Sequence, residues 1–198
     1  MKKALLLIGC GGHAKSVIDL IESKSDFYIY GLIGLESDRG ININDYGVIG
    51  VDQDLNQLRK ECDKAFVAIG HFGNTYKRRI ITKAIKNYDY TLPTIISPYC
   101  TISKRAAIGD GTSIGHGCVL NSGVIVESSC IINSKTLIEH DAIIGEHSHV
   151  STGVIINGNV EIGSDCFIGS GCIIREGLKV PDGTIITAGT RVMGWPLK

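Results

Sequence analysis

Six histidines are the side chains of this chain best suited to move a proton near neutral pH, and four of them, His116, His140, His147 and His149, lie close together in the second half. His140 stands between Glu139 and Asp141 in the stretch IEHDA. A carboxylate beside a neutral imidazole can fix its tautomer and stabilise the imidazolium formed on accepting a proton, which suits His140 to general-base work. A solvated turn histidine is the plainer reading of the same residues, and chemistry alone favours it.

A second cluster is Gly9-Cys10-Gly11-Gly12-His13-Ala14-Lys15, directly after the first apolar run and at the opening of an amphipathic segment. Glycines permit a tight turn there, and the free N–H groups of a helix start attract phosphate. The spacing meets the loose GxGxxA form of the dinucleotide fingerprint, although a glycine turn that serves only strand-helix packing has the same sequence. A third cluster closes the chain, where Trp195 either caps an open core or forms a wall for a long cofactor. Arg175 and Lys179 could meet phosphates or simply solubilise.

The elements that must position these residues fall into two halves, 1–96 and 97–198. The first alternates apolar runs (ALLLIG, FYIYGLIG, KAFVAIG, TLPTIIS) with amphipathic segments (HAKSVIDLIESKS, DQDLNQLRKECD, NTYKRRIITKAIKNY). Strands interleaved with helices imply βαβ units and a parallel sheet, so this half is an α/β, Rossmann-like domain. Ala14, Val17, Ile18 and Ile21, spaced i, i+3, i+4, i+7, form one helix face against that sheet. A domain of this size supplies one mononucleotide half, which fits a nucleotide-linked ligand better than a whole NAD.

After Pro98 the period becomes six. Stepping from Ile102 to Val192 meets an aliphatic residue at all sixteen positions, and the residue two before each is nearly always small. This is the hexapeptide pattern of a parallel β-helix, in which three repeats close one triangular coil and stacked coils bury the aliphatic column. Cys100, Cys118, Cys130, Cys166 and Cys172 share the small inward register and read as core filler. None of the four histidines is inward, so turn and edge positions are expected to leave them accessible. Zinc held by histidines, as in β-helix hydratases, has weak support, because His116 and His140 are 24 residues apart and fall on different edges of an eighteen-residue coil.

Composition sets outer limits. Lys+Arg and Asp+Glu number 20 each, and with no basic cluster apparent this argues against binding nucleic-acid backbone or an acidic membrane. The chain's 43% apolar residues suffice for a core. The opening MKKALLLI reads as a first strand rather than a signal peptide, because glycines interrupt it. No stretch approaches the ~20 apolar residues of a membrane span. Seven cysteines without a framework spacing suit reduced thiols in a cytoplasm.

Taken together, IGCGGHAKSVID, AFVAIG, TIISPYCTIS, INSKTLIEHDAIIGEHSHVSTG and NGNVEIGSDCFIGSGCII resemble the bacterial sugar acetyltransferases of the NeuD and PglD type over the whole chain. The resemblance implies a left-handed β-helix and a homotrimer with its active site between adjacent β-helices. It also implies acetyl-CoA along the coils and an acceptor held partly by the N-terminal domain. It makes His140 the general base, Asp141 its acidic neighbour and Gly158 the N–H donor to the thioester oxygen. His149, Gly158, Ser170 and Ala188 become acetyl-CoA contacts, and Gly11, Gly12, His13, Gly34, Leu35 and Gly70 acceptor contacts, with no metal. The implied reaction is N-acetylation of the C4 amine of a UDP- or dTDP-linked 4-amino-4,6-dideoxysugar. O-acetylation of a sialic acid or related nonulosonic sugar is the alternative, and a nucleotide-responsive scaffold without catalysis a further one. Where aminosugar enzymes carry paired acids after the second strand, this chain has Gly34-Leu35, with Glu36 and Asp38 following.

Overall fold

The computed structural model describes residues 2–24 and 26–196, and two compact units are distinguished. One runs to Gly70 and resumes over Tyr76–Ile95; the other comprises His71–Thr75 and everything from Ile96 on.

The first unit is built in the order β1 (Lys3–Ile8), α1 (Gly12–Lys24), β2 (Phe27–Gly34), β3 (Asn42–Ile43), β4 (Tyr46–Val51), α2 (Leu55–Leu58), β5 (Ala65–Val67) and α3 (Tyr76–Asn87). The sheet order is β3-β4-β2-β1-β5, parallel except for the β3–β4 hairpin. The run Leu5–Ile8 is apolar throughout because both of its faces are covered. Leu5 and Leu7 pack with Val17 and Ile18 of α1, whereas Leu6 and Ile8 pack with Ile81 and Ile85 of α3. The expected face of α1 is the buried one: Ala14, Val17, Ile18 and Ile21 are all sealed from solvent.

Two local expectations change, and one element is added. The segment Ile41–Val51 holds a hairpin turning on Asn44, whose φ of 52° suits asparagine. The helix expected over 52–63 is regular only at Leu55–Leu58, and Asp52–Asp54 before it is a single 3₁₀ turn. The last apolar run supplies Ile95–Ile96, which joins the solenoid's sheets rather than the α/β sheet.

In the second unit, two-residue strands stack into three parallel sheets of six, five and six strands, each residue pairing with the one eighteen further on, as Leu137 does with Ile155. This is the architecture of a left-handed β-helix. The aliphatic column from Ile114 to Val192 is buried, with Ile102 and Ile108 partly covered at the open end and Trp195 packed on the core. The small inward position proves to be a donor site as well. Cys100, Cys118, Cys130, Cys166 and Cys172 each direct Sγ to the carbonyl oxygen fifteen residues on, at 3.0–3.2 Å. Thr112, Thr136 and Ser148 donate in the same way. Inward Cys, Ser and Thr therefore satisfy turn carbonyls that would otherwise be buried unpaired. Burial pushes the Cys166 and Cys172 thiols up, so they stay protonated. Among the described residues no helix is long and apolar enough to cross a membrane.

Candidate active site

From Asp110-Gly111 to Ala188-Gly189, each corner of the β-helix is a two-residue turn whose second residue is left-handed, and its side chains project outward. His140-Asp141 is the turn between the strands Leu137–Ile138 and Ile143–Ile144. Asp141 adopts φ 58°, a conformation tolerated by Asp and Asn. The turn is pinned from both sides, since Asp141 N–H donates to Ser122 O at 3.0 Å and Asn159 N–H donates to His140 O at 2.9 Å. Its backbone therefore cannot drift along the stack.

Asp141 Oδ2 lies 2.9 Å from His140 Nδ1. A carboxylate there accepts the Nδ1 proton and leaves Nε2 with its lone pair. The ring extends over Gly158 in the next coil, where a Cβ would meet Nε2 at 2.6 Å and Cε1 at 2.7 Å. Gly158 N–H makes no backbone hydrogen bond among the described residues. His140, Asp141 and Gly158 thus form one constellation: an imidazole oriented by a carboxylate, lying against a glycine backbone. The side chains of His140 and Asp141 are 64% and 67% exposed in the single chain, so the constellation is reachable. Asn121 Nδ2 donates to Glu139 Oε2 at 2.7 Å just before the turn.

Ser170 and Ala188 occupy a different corner, stacked one coil apart, with Gly189 N–H donating to Ser170 O at 2.8 Å. Ser170 Oγ lies 2.8 Å from Ser151 Oγ. Both residues are exposed turn positions. His116 stands on that corner too, 2.6 Å from Ser97 Oγ, and so on a different edge from His140. Lys179 is paired with Glu161 at 2.8 Å.

The expectation of accessible histidines fails at His147 and His149, each only 7% exposed. His149 does face outward, but the strap His71–Thr75 covers it. His149 Nδ1 donates to His71 O at 2.8 Å and Asn133 Nδ2 donates to His149 Nε2 at 3.0 Å. In return His71 Nε2 donates to His147 O at 3.0 Å, and Gly73 N–H donates to His71 Nδ1 at 3.1 Å. Phe167 stacks edge-on to His149 and Phe72, and Thr75 Oγ1 donates to Asp165 at 2.7 Å. His71 and Asn133 are the residues sequence reasoning missed. Asn133 keeps the six-residue register and could have been flagged, whereas nothing periodic marks His71.

In the α/β unit, Gly11 and Gly12 face open space at the start of α1, which leaves room for a ligand against the backbone. Gly70 packs on His13, where a Cβ would stand 3.3 Å from His13 Cβ. At Gly34 a Cβ would meet Asp38 and Cys10 Sγ, both at 2.9 Å, while Leu35 is largely exposed. The acids that follow are committed locally: Asp38 accepts the Leu35 N–H at 2.8 Å, and Glu36 pairs with Arg39 at 2.6 Å. Arg39 also reaches Asp54 at 3.0 Å, beside a cavity of about 500 Å³ lined by the ends of β2 and β4.

Residues 4–84 match the family model described as the PglD N-terminal domain. The acetyltransferase domain of PglB from Neisseria gonorrhoeae FA1090, solved with acetyl coenzyme A, is 30% identical with a TM-score of 0.85, over 96% of this chain and 90% of that one. The same domain in a second structure gives 29% identity and a TM-score of 0.86 over 100% and 99%. A variant of perosamine N-acetyltransferase from Caulobacter crescentus, in complex with CoA and GDP-perosamine, shares the fold at 22% identity and a TM-score of 0.75, over 98% and 95%. None of the curated proteins matches. With the α/β unit, the hexapeptide solenoid and 30% identity to an acetyltransferase domain over nearly the full length agreeing, the chain belongs to the NeuD/PglD-type family of hexapeptide-repeat sugar acetyltransferases.

Proposed function

We propose that this chain N-acetylates the C4 amine of a nucleotide-linked 4-amino-4,6-dideoxysugar, with acetyl-CoA as donor and no acyl-enzyme. The observation that carries this reading is the His140 ring, bonded through Nδ1 to Asp141 and presenting Nε2 over Gly158. Relatives solved with acetyl coenzyme A, or with CoA and GDP-perosamine, support the choice of donor and acceptor class.

Acetyl-CoA supplies an activated thioester carbonyl. His140 Nε2 accepts the amine proton as nitrogen bonds to that carbon, and Asp141 stabilises the resulting imidazolium. Gly158 N–H donates to the oxygen as negative charge builds on it; losing one such donor costs roughly 3 to 4 kcal/mol in comparable sites. As the carbon–sulfur bond breaks, His140 returns its proton to the departing thiolate, so base and proton balance are restored. No cysteine is needed, in keeping with their inward placement. The turns at Ser170 and Ala188 would line the path of the pantetheine and adenine ends, and His149 would shape it by holding the strap. Gly11, Gly12 and His13 would meet the nucleotide, with Gly34, Leu35 and Gly70 at the neighbouring strand ends. The exposure of His140 fits a site completed in a homotrimer.

The test is incubation with acetyl-CoA and UDP-, GDP- or dTDP-linked 4-aminosugars, with mass detection of an added acetyl group. Transfer only to a sialic acid or other nonulosonic hydroxyl would replace this reading with O-acetylation.

A further inference from the structure

The Asp141 carboxylate bridges two spaces. Oδ2 accepts the hydrogen bond from His140 Nδ1–H, and Oδ1 occupies the volume where a Cβ at Gly123, one coil back, would lie. Gly123 is left-handed (φ 76°), but so are many turn residues of the solenoid that carry side chains, including Lys135 at 61° and Asn159 at 56°. Stacking does not by itself demand glycine beneath a turn side chain. Gly117 sits under Lys135 as Gly123 sits under Asp141, and a Cβ there would find its nearest neighbour at 3.8 Å, an ordinary contact. The crowding at Gly123 comes from the carboxylate bending back to reach the ring.

We infer that Gly123 is a positioning residue for the reaction: its missing side chain provides the seat in which Asp141 can orient His140. A methyl group at 123 displaces Oδ1, and rotation of the carboxylate about Cβ–Cγ then carries Oδ2 off Nδ1. The imidazole loses the bond that fixes its tautomer, so the population with a free Nε2 lone pair falls. Partners that orient metal-bound histidines typically account for about 10- to 100-fold in activity, and the same order is expected for an imidazole held by one carboxylate.

This inference rests on His140 acting as the base, and the experiment separates the two. Gly123→Ala, Asp141→Asn, the double variant and the control Gly117→Ala, which has the same left-handed strain without the collision, are compared by kinetics and by ¹⁵N NMR of the imidazoles. The expected result is a 10- to 100-fold fall in kcat for Gly123→Ala with unchanged KM for acetyl-CoA. The His140 ring should show mixed tautomers in its ¹⁵N shifts. The double variant should fall no further than Asp141→Asn, and Gly117→Ala should behave as the parent. Parental turnover and a single His140 tautomer in Gly123→Ala, or multiplicative losses in the double variant, would overturn the positioning role. If the parent protein transfers acetyl to no amine while the tautomer still changes in Gly123→Ala, the seat stands and the acetyl-transfer reading falls.

Discussion

His140 lies across the face of Gly158, eighteen residues and one full coil away, so close that no other residue type could occupy position 158 without moving the ring. The stacking of the solenoid thereby turns a single backbone position into the floor of the candidate base. Gly158 has no left-handed φ, so Gly158→Ala tests the collision without added backbone strain. The expected outcome is a fall in kcat of about 10²-fold or more, the scale of a misplaced base, since the substitution keeps the backbone N–H. Thermal unfolding should change little, because the displaced ring moves into solvent. Normal turnover with an ordered His140 would contradict this geometry.

His140→Ala removes the base and leaves the stack intact, since the turn is held by the backbone bonds of Asp141 and Asn159. Turnover should drop by about 10²- to 10⁴-fold, the usual contribution of general-base catalysis. Acetyl-CoA affinity, measured by calorimetry, should remain near the parental value. A loss of affinity equal to the loss of rate would move His140 from proton transfer to cofactor binding.

The period of six made the solenoid legible, because an inward column admits only aliphatic and small residues, and Ile114, Ile138 and Ile144 sit in it as the spacing requires. It also separated His116 from His140. What it could not express is coverage. Periodicity sorts side chains into inward and outward, and His149 is outward, yet the aperiodic strap His71–Thr75 buries it. The β3–β4 hairpin was missed for a related reason: β3 is only two residues long, and β4, YGVIGV, does not alternate apolar with polar residues. Gly123 was invisible because its importance depends on where the Asp141 carboxylate bends, which no spacing records.

Tyr90 gives a pH-dependent test within the α/β unit. Burial raises its phenol from an ordinary value near 10 to about 12, with the neighbouring Cys62 adding to the shift, and its hydroxyl donates to Leu55 O at 2.7 Å. The folded state therefore favours the neutral phenol. Its contribution is complete below about pH 10 and is lost as pH rises toward about 12, where the unfolded chain ionises first. Tyr90→Phe should cost about 1 to 2 kcal/mol at neutral pH, because Leu55 O loses its donor. Its stability should then decline less steeply than the parent's across that alkaline window in urea titrations. Parallel declines would mean that Tyr90 ionises as freely folded as unfolded.

His149 offers the sharpest division between a ligand contact and a structural tie. Its ring is sealed under His71–Thr75, donating from Nδ1 to His71 O and accepting at Nε2 from Asn133, so both nitrogens are already engaged within the protein. His149→Phe keeps an aromatic ring against Phe167 but cannot donate, which leaves His71 O and the Asn133 amide short of partners in a buried setting. Each such loss costs about 1 to 3 kcal/mol, so the melting temperature should fall clearly and the strap should become open to limited proteolysis near the exposed Phe72. Any rise in KM for acetyl-CoA should accompany that loosening and be largely restored at lower temperature. A raised KM with unchanged melting temperature and unchanged proteolysis would instead make His149 a direct contact of the cofactor, reached from a face that the strap does not cover.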